Sequence, residues 1–302
     1  MTRRDVVAIA WGLALCASGT GAVAPQEFHA QSDLVVLQVA VSDHHGTPVT
    51  GLPREAFSII EDQTPQEIQF FLNEDRPVAV GLVLDNSISM AAKRQDVIAA
   101  ADAFARSGNR EDSLFVVNFN EDVWFGLPAD MQFTSDLNVL HSALLSIGAR
   151  GRTAMYDGIS AALTHVSTSP LDQKVLVVVS DGGDNESRLE FKDVLQQALR
   201  SNVVIYTVGI FDDVVRGGDR KVLERLAEST GGIAFFPVNR HEVGDALDRI
   251  ARDIRHRYTL GYVSSNKRRD GSFRKIQVVV IDPKSHHPLK VKVRSGYLSP
   301  AE

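Results

Sequence analysis

Three oxygen-bearing side chains stand at alternate positions where an apolar run ends: Asp85, Ser87 and Ser89. The run itself, residues 78–84, is typical of a strand that is buried on both faces. Carboxylate and hydroxyl oxygens suit a hard cation such as Mg²⁺. The same three residues also suit a simpler role, as the turn and cap of a following helix. This stretch alone leaves both interpretations open.

Two more oxygen-bearing residues occur at equivalent places later in the chain. Thr153 opens a predicted helix, and Asp181 comes directly after the apolar run 175–179. The carboxyl ends of parallel strands share one edge of an open α/β sheet, and ligands bind at that edge. We therefore expect Thr153 and Asp181 to lie close to Asp85.

Residues 78–256 alternate between strand and helix patterns, and several strands are apolar throughout. This alternation predicts an α/β fold with a doubly wound, mostly parallel, Rossmann-like sheet. A very short connection makes 113–118 and 123–127 an antiparallel edge hairpin, with Trp124 and Phe125 expected in the core. Predicted helices cover 91–107, 136–146, 154–166, 191–201, 221–229 and 241–256, and predicted strands cover 78–84, 113–118, 123–127, 174–179, 203–209 and 232–237.

The two flanks of this region, residues 32–75 and 257–298, show β patterns. Neither flank is long enough to bury a good core alone. We expect them to pair into one small β-sandwich-like domain into which the α/β domain is inserted. Strands are expected at 34–43, 57–61, 68–72, 258–263, 273–281 and 289–293.

The combination of residues at the predicted edge has a known counterpart. Asp85-x-Ser87-x-Ser89, Thr153 and Asp181 resemble the metal-ion-dependent adhesion site of von Willebrand factor A domains. Residues 78–256 are similar to that domain in order and length. The flanks, with sequences such as 258–262 (Tyr-Thr-Leu-Gly-Tyr), resemble a bacterial von Willebrand factor A-related family found notably in acidobacteria.

The resemblance implies a divalent cation, Mg²⁺ or Mn²⁺, as the cofactor. Ser87, Ser89 and Thr153 would supply neutral hydroxyls, and Asp85 and Asp181 would supply negative charge, partly through bound water. Few anionic ligands leave such an ion electrophilic, so that an Asp or Glu carboxylate of a protein partner can bind it. Backbone N–H groups at a helix start beyond Ser89 would add to this preference for anions. The expected function is a metal-dependent protein-binding or adhesion module with no catalytic residues.

Four charged residues near the predicted site have two interpretations each. Arg150 and Arg152 either draw an acidic ligand toward the metal or are solvated loop charges. Asp157, one turn after Thr153, is either a hydrogen-bond acceptor behind the metal ligands or a surface carboxylate. Asp184 either helps to hold a second cation or caps the next helix as part of a polar loop.

The pattern of the first 24 residues predicts a signal peptide. Arg3 and Arg4 precede an apolar stretch at 6–17, and small residues at 22–24 allow cleavage after Ala22 or Ala24. The product is therefore expected to be secreted or periplasmic. The one cysteine, Cys16, lies inside this segment, which excludes disulfides and thiolate metal sites from the mature chain. No later segment is apolar enough for a membrane helix, so an integral membrane protein is not expected after signal removal.

Composition and motifs also bear on competing functions. A net charge of −6 over 302 residues argues against nucleic acid as the partner. A structural or assembly subunit of the envelope with a non-essential metal site remains an alternative. A phosphoesterase of the haloacid dehalogenase type is disfavoured because it needs a second acid two residues after the nucleophile, where Ser87 stands. No serine lies in a Gly-x-Ser-x-Gly elbow, which argues against a serine hydrolase.

Overall fold

A computed structural model describes residues 34–211 and 219–301 of the chain. The predicted signal peptide, 1–24, lies outside the described residues. The strands are β1 (Leu34–Ser42), β2 (Phe57–Glu61), β3 (Thr64–Gln66), β4 (Phe70–Leu72), β5 (Val78–Asp85), β6 (Ser113–Phe119), β7 (Val123–Phe125), β8 (Gln173–Ser180), β9 (Val203–Gly209), β10 (Ala234–Phe235), β11 (Arg257–Val263), β12 (Phe273–Val280), β13 (Lys290–Lys292) and β14 (Gly296–Leu298). The helices are α1 (Arg94–Arg106), α2 (Leu137–Leu144), α3 (Met155–Ser167), α4 (Phe191–Arg200), α5 (Arg220–Thr230) and α6 (Arg240–Arg255).

The strand β5 lies near the middle of a six-stranded sheet with the order β10-β9-β8-β5-β6-β7. All neighbours are parallel except β6 and β7, which form the antiparallel edge hairpin. Every residue of β5 is buried, so both faces of the sheet are covered at this strand. The predicted doubly wound, mostly parallel sheet is therefore confirmed, and the apolar run that predicted β5 is explained by this double burial.

At the start of several helices, a side chain accepts hydrogen bonds from the free N–H groups of the first turn. The Asp136 carboxylate accepts a hydrogen bond from the N–H of Asn138 at 2.8 Å, at the start of α2. Asp219 caps α5 and Asn239 caps α6 in the same way. These caps fix the starts of α2, α5 and α6.

The two flanks form two four-stranded sheets, with the orders β13-β1-β11-β4 and β14-β12-β2-β3. Each sheet contains strands from both flanks, since β1 pairs with β11 and β2 pairs with β12. A second hydrophobic cluster, separate from that of the central sheet, lies in this β part and includes Leu37, Ile59, Tyr258 and Val278. Two short strands, β3 and β14, have no prediction, because three-residue edge strands carry too little pattern to be recognised.

A buried carboxylate lies within the β part. Glu61 is 2 % exposed and accepts hydrogen bonds from the hydroxyls of Tyr262 at 2.6 Å, Ser264 at 2.5 Å and Tyr297 at 3.0 Å. Arg274, also buried, lies 3.4 Å from the same carboxylate. Because these donors come from the C-terminal flank and Glu61 from the N-terminal flank, the cluster joins the two.

Arg255, in the last turn of α6, lies where the N-terminal flank ends and the C-terminal flank begins. Its guanidinium pairs with Asp75 at 3.0 Å and with Asp112. Asp112 in turn accepts the N–H of Val78, the first residue of β5, at 2.9 Å. This end of α6 therefore lies at the amino edge of the central sheet. Within the described residues, no helix has the length and apolar character needed to cross a membrane.

Candidate metal site

Asp85 ends β5 and is 4 % exposed. One carboxylate oxygen, Oδ1, accepts the N–H of Ser87 at 2.8 Å, and the other, Oδ2, accepts the hydroxyl of Ser180 at 2.6 Å. Burial raises the pKa of Asp85 to about 6, and the nearby charge of Asp181 adds to this rise, while the hydrogen bonds from Ser180 and Ser87 oppose it. The protein therefore holds a buried carboxylate whose charge is incompletely compensated.

Ser87 and Ser89 follow Asp85 in a tight turn. Ser87 is buried and extended, residues Ile88–Met90 form one 3₁₀ turn, and the two serine hydroxyl oxygens lie 3.0 Å apart. The predicted helix start at residue 91 is wrong, because α1 begins only at Arg94. The free N–H groups expected just beyond Ser89 are therefore not those of an α-helix. The N–H of Ile88 is occupied and donates to Gly151 O at 3.2 Å.

Thr153 lies in a loop that is tied to the turn after Asp85. The N–H of Arg150 donates to Asn86 O at 2.9 Å, next to the bond between Ile88 and Gly151. Gly151 has φ +69°, and a side chain at this position would meet the Glu121 carboxylate. The positive φ favours glycine at this position, whereas the Glu121 carboxylate is the end of a flexible side chain that can move aside.

Thr153 itself is 5 % exposed and is held by the loop after Asp181. Its N–H donates to Asn185 Oδ1 at 3.0 Å, and its carbonyl accepts the N–H groups of Asn185 at 3.0 Å and Glu186 at 3.1 Å. Three loops that carry the predicted residues are thus joined to one another by hydrogen bonds.

Asp181 follows β8, which is the direct neighbour of β5 in the sheet. Its Oδ1 accepts the N–H of Gly183 at 3.1 Å, and the side chain is partly exposed. Gly182 has φ +77°, and a Cβ at this position would lie 3.0 Å from Asp219 O. The sharp turn that follows Asp181 therefore depends on glycine.

The donor set of this edge fits a hard divalent cation. It combines two carboxylates, Asp85 and Asp181, with the hydroxyls of Ser87, Ser89 and Thr153, and contains no sulfur or imidazole. Within residues 34–211 and 219–301, no group of three or more His, Cys, Asp or Glu side chains is arranged to hold a metal. The candidate site has only two carboxylates, and its other proposed ligands are hydroxyls. Burial raises the pKa of Asp85, and a nearby positive charge would stabilise its ionised form.

Two residues that sequence reasoning missed hold this site together. Ser180 binds Asp85 directly, and Asn86, 3 % exposed, joins several elements through its amide. The Asn86 amide donates to Asn118 Oδ1 at 2.9 Å and accepts from Arg94 Nε at 3.0 Å. Ser180 was recognisable as the residue that ends β8 beside Asp181. Asn86 had no sequence signal, because its partners lie far away in the chain.

The two arginines of the threonine loop differ in their partners. Arg152 pairs with Glu186 at 2.7 Å, and this hydrogen bond raises its pKa. Arg150 has no carboxylate partner among the described residues, and its guanidinium lies 5.8 Å from the ring centroid of Trp124. Arg150 is therefore the arginine of this loop whose charge is not matched by an ion pair.

Asp157 and Asp184 both accept hydrogen bonds from backbone N–H groups. Asp157 accepts the N–H groups of Arg188 and Leu189, each at 3.1 Å. Asp184 accepts the N–H of Tyr156 at 2.9 Å and the hydroxyl of Ser187 at 2.6 Å. Both carboxylates thus hold the 184–189 loop against the start of α3.

The predicted burial of Trp124 and Phe125 is wrong. Trp124 is half-buried and Phe125 is 48 % exposed. Both belong to β7, which is the edge strand of the sheet and has no further strand to cover it. Phe125 instead packs beside the His165 ring of α3, with the ring centroids 4.8 Å apart.

Several known proteins share sequence or fold with this chain. Integrin alpha-M of Mus musculus is 29 % identical over 112 residues, which is 35 % of this chain and 10 % of the integrin. The chain thus spans about a tenth of the length of that relative.

Solved structures share the fold at low sequence identity. A von Willebrand factor type A protein from Catenulispora acidiphila covers 88 % of this chain and 73 % of its own, with a TM-score of 0.54 and 14 % identity. Proximal thread matrix protein 1 from the mussel byssus, with a zinc-occupied metal-ion-dependent adhesion site, covers 64 % and 48 %, with a TM-score of 0.52 and 16 % identity. The model of the von Willebrand factor type A domain matches residues 80–249, which is more than half of the chain. The chain therefore belongs to the von Willebrand factor type A domain family.

Proposed function

We propose that this protein is an extracytoplasmic binding module that recognises an acidic group of a partner protein through a divalent cation. The ligands proposed for the cation are Asp85, Ser87, Ser89, Thr153 and Asp181. The observation that carries this proposal is the Asp85 carboxylate, which is 4 % exposed at the end of β5 and has its pKa raised to about 6 by burial, with a smaller contribution from the charge of Asp181. A cation at this position relieves the electrostatic cost of that arrangement.

The chain's own residues set the chemistry of the site. Hydrogen bonds from Ser87 and Ser180 fix both oxygens of Asp85, so the carboxylate cannot rotate freely. The three hydroxyl ligands are neutral, so the site contributes only two negative charges. A bound Mg²⁺ or Mn²⁺ would supply an electrophilic position for an Asp or Glu carboxylate of the partner. The mussel byssus relative has zinc in its motif, which supports a divalent ion without identifying it.

Arg150 is proposed to contribute to partner recognition. It lies in the same loop as Thr153, is exposed, and has no carboxylate partner among the described residues. An exposed cation beside a metal site attracts acidic groups and raises the association rate. Arg152 contributes less, because Glu186 already neutralises it.

The exposed Ile88 belongs to the proposed binding surface. It is 66 % exposed between two proposed ligands, and its N–H is fixed to Gly151. An apolar side chain in this position gains contact area when a partner covers it. The partner is therefore expected to present an aliphatic residue beside its metal-binding carboxylate.

Calorimetric titration with Mg²⁺ and Mn²⁺ tests the metal site. Asp85→Ala is expected to abolish binding, whereas Asp130→Ala, at an exposed loop aspartate, is expected to leave it unchanged. Unchanged titration of the Asp85→Ala variant would overturn the assignment of the ligands.

Capture of partners from envelope and culture fractions, with Mg²⁺ or with EDTA, tests the binding function. Loss of the captured protein in EDTA supports the proposal. Binding that survives EDTA instead supports a structural or assembly subunit with a non-essential metal. Hydrolysis of a generic phosphoester that is lost in Asp85→Asn would favour the phosphoesterase alternative.

A further inference from the structure

A groove separates the turn after β1 from the C-terminal half of α6. Its cavity is about 700 Å³, and residues of both parts line it, among them His45, Pro48, Phe235, Arg249 and Arg252. Volumes of this size are typical of sites that bind small organic ligands. None of the residues proposed for the metal site lines the groove.

The groove lies beside β10, the outer strand of the central sheet, whereas Asp85 ends β5, three strands away in the order β10-β9-β8-β5. Neighbouring strands are roughly 4.8 Å apart, so β10 and β5 are separated by roughly 14 Å. From Phe235 the groove extends along α6 to His256, directly after the last turn of that helix.

Two exposed arginines provide the positive charge of the groove. Arg249 and Arg252 are three positions apart on α6, so their side chains share one face of the helix. Neither has a hydrogen bond or ion pair from its side chain within the described parts of the chain. Arg249 is held over the Phe235 ring, with its guanidinium carbon 5.4 Å from the ring centroid. Both guanidinium groups are thus available to an incoming anion.

The acidic residues in the groove and in the turn after β1, Asp253 and Asp43, already have partners, and Asp248, four positions before Arg252 on α6, does not line the groove. The Asp253 carboxylate accepts hydrogen bonds from Arg257 Nη2 at 2.7 Å and from the Tyr206 hydroxyl. The Asp43 carboxylate accepts the N–H groups of His45 and Thr47, each at 2.8 Å, within its own turn. The charges of Arg249 and Arg252 are therefore not neutralised inside the groove.

The nearby Lys292 has a lowered pKa because burial disfavours its charged form; Arg257 and Arg249 lower the pKa further, whereas Asp253 and Glu228 raise it. The chain as a whole has a net charge of −6, so two exposed arginines without an ion pair stand out on an acidic protein.

Apolar side chains form another wall of the groove. Ile233, Phe235 and Pro48 line the same cavity as the two arginines. A binding site for a free inorganic anion needs no such wall, whereas an acidic peptide also has aliphatic groups to bury.

We propose that this groove binds a segment of a partner protein that carries both acidic and aliphatic side chains. Its carboxylates pair with Arg249 and Arg252, and its aliphatic groups pack against Phe235 and Pro48. The groove contains none of the proposed metal ligands, so the protein has two separate binding surfaces.

Selection from a library of random twelve-residue peptides on phage tests this proposal. The full-length protein is used in EDTA throughout, so that the metal site cannot contribute to the selection. Synthetic peptides of the selected consensus are then measured by fluorescence anisotropy against three proteins: the wild type, Arg249→Glu/Arg252→Glu and Arg225→Glu. Arg225 is a matched control, because it is an exposed arginine that also lies over a phenylalanine ring, 5.8 Å from Phe191.

We expect a consensus with Asp or Glu next to Leu, Ile, Val or Phe. Its affinity should fall at least tenfold in the double variant and less than twofold in Arg225→Glu. No consensus, or equal affinity for the double variant, would overturn the proposal. Full competition by inorganic tripolyphosphate together with equal binding of a peptide of glutamate alone would also overturn it, in favour of a general anion site. If the double variant unfolds, Arg249→Gln/Arg252→Gln is measured in its place.

Discussion

The Ser180 hydroxyl donates a hydrogen bond of 2.6 Å to the Asp85 carboxylate, across two neighbouring parallel strands. Ser180 is fully buried, and the residue that follows it is the second proposed acidic ligand, Asp181. The bond therefore fixes the end of β8 relative to the end of β5 at the point where the two carboxylates approach. It also opposes the rise in the pKa of Asp85 that burial causes.

Removal of this hydroxyl is expected to weaken metal binding. In Ser180→Ala the Asp85 carboxylate loses one donor, so its pKa rises further and its orientation is less restricted. One hydrogen bond to a charged group contributes roughly 1–2 kcal/mol, which corresponds to a loss of Mg²⁺ affinity of about tenfold. Calorimetric titration at pH 7 measures the change. Ser201→Ala, which removes a hydroxyl bonded to Ala198 O at a helix end, is the control, and equal affinity in both variants would contradict the expectation.

Metal affinity is expected to depend on pH near the pKa of Asp85. A proton and a cation compete for this carboxylate, whose pKa in the metal-free protein is raised to about 6. Below that pH, each unit of acidification should weaken Mg²⁺ binding by about tenfold, and binding should release close to one proton. Titrations in two buffers of different ionisation enthalpy measure the released protons. A constant affinity between pH 5 and pH 7 would argue against Asp85 as a ligand.

The metal-free protein is expected to gain stability when Asp85 is replaced by Asn. The folded-state pKa is raised above the ordinary value of 3.8, so the neutral form is favoured in the folded state. The neutral Asp85 carboxyl therefore stabilises the folded state fully below pH 3.8, and this stabilisation is lost as the pH rises through about 6.

At pH 7.5 the ionised Asp85 lowers the free energy of unfolding by about 3 kcal/mol. This value is the upper limit of the stability gained in Asp85→Asn. Urea denaturation in EDTA measures the free energy of unfolding of both proteins. The gain should disappear near pH 3.5, where both proteins are neutral at this position, and a gain of equal size at both pH values would point to a cause other than charge.

The two arginines of the threonine loop form a matched pair for testing partner recognition. Arg150→Gln is expected to slow the association of the EDTA-sensitive partner by about threefold to tenfold at low salt. Arg152→Gln should have a smaller effect, because Glu186 already pairs with Arg152 at 2.7 Å. Surface plasmon resonance at two salt concentrations measures both rates. A larger decrease in the association rate for Arg152→Gln than for Arg150→Gln would exclude Arg150 as the charge that attracts the partner.

Glu61 is expected to be essential for the stability of the β part and unimportant for metal binding. Glu61→Ala leaves the buried Arg274 without its carboxylate and removes the acceptor of three hydroxyls. The expected cost is about 3–5 kcal/mol of unfolding free energy. Glu67→Ala, at an exposed position of the same flank, is the control for urea denaturation. Equal stability of the two variants would show that the cluster contributes little.

The same cluster predicts loss of stability in acid. Burial alone raises the pKa of Glu61, but hydrogen bonds from Ser264, Tyr262 and Tyr297 outweigh it, and the net pKa is lowered from 4.5. The stabilisation is therefore present above pH 4.5 and is lost as the pH falls below that value.

The features that the sequence predicted well are those with local patterns. The apolar run of β5 indicated a strand buried on both faces, and the parallel sheet then required Asp85 and Asp181 to share an edge. The observed neighbours β5 and β8 agree with that requirement. The sequence could not identify the partners of the charged residues around the site, because these partners are distant in the chain. Asp157 binds backbone N–H groups of residues 188 and 189, and Arg152 pairs with Glu186, which no spacing rule indicates. Phe125 is apolar yet exposed, because membership of an edge strand is decided by topology.

The interleaving of the two flanks constrains the order in which the chain folds. Arg257, for example, donates to Gln38 O across 219 positions of sequence. During synthesis β1 and β2 are made before the central sheet, and their partners β11 and β12 are made only after it. Closing so long a loop is entropically costly, unless the inserted region folds first and brings its own ends together. The salt bridge between Asp75 and Arg255 lies where those ends meet. Folding of the central sheet thus brings the two flanks together. Until then β1 is unpaired, and its apolar side chains can aggregate.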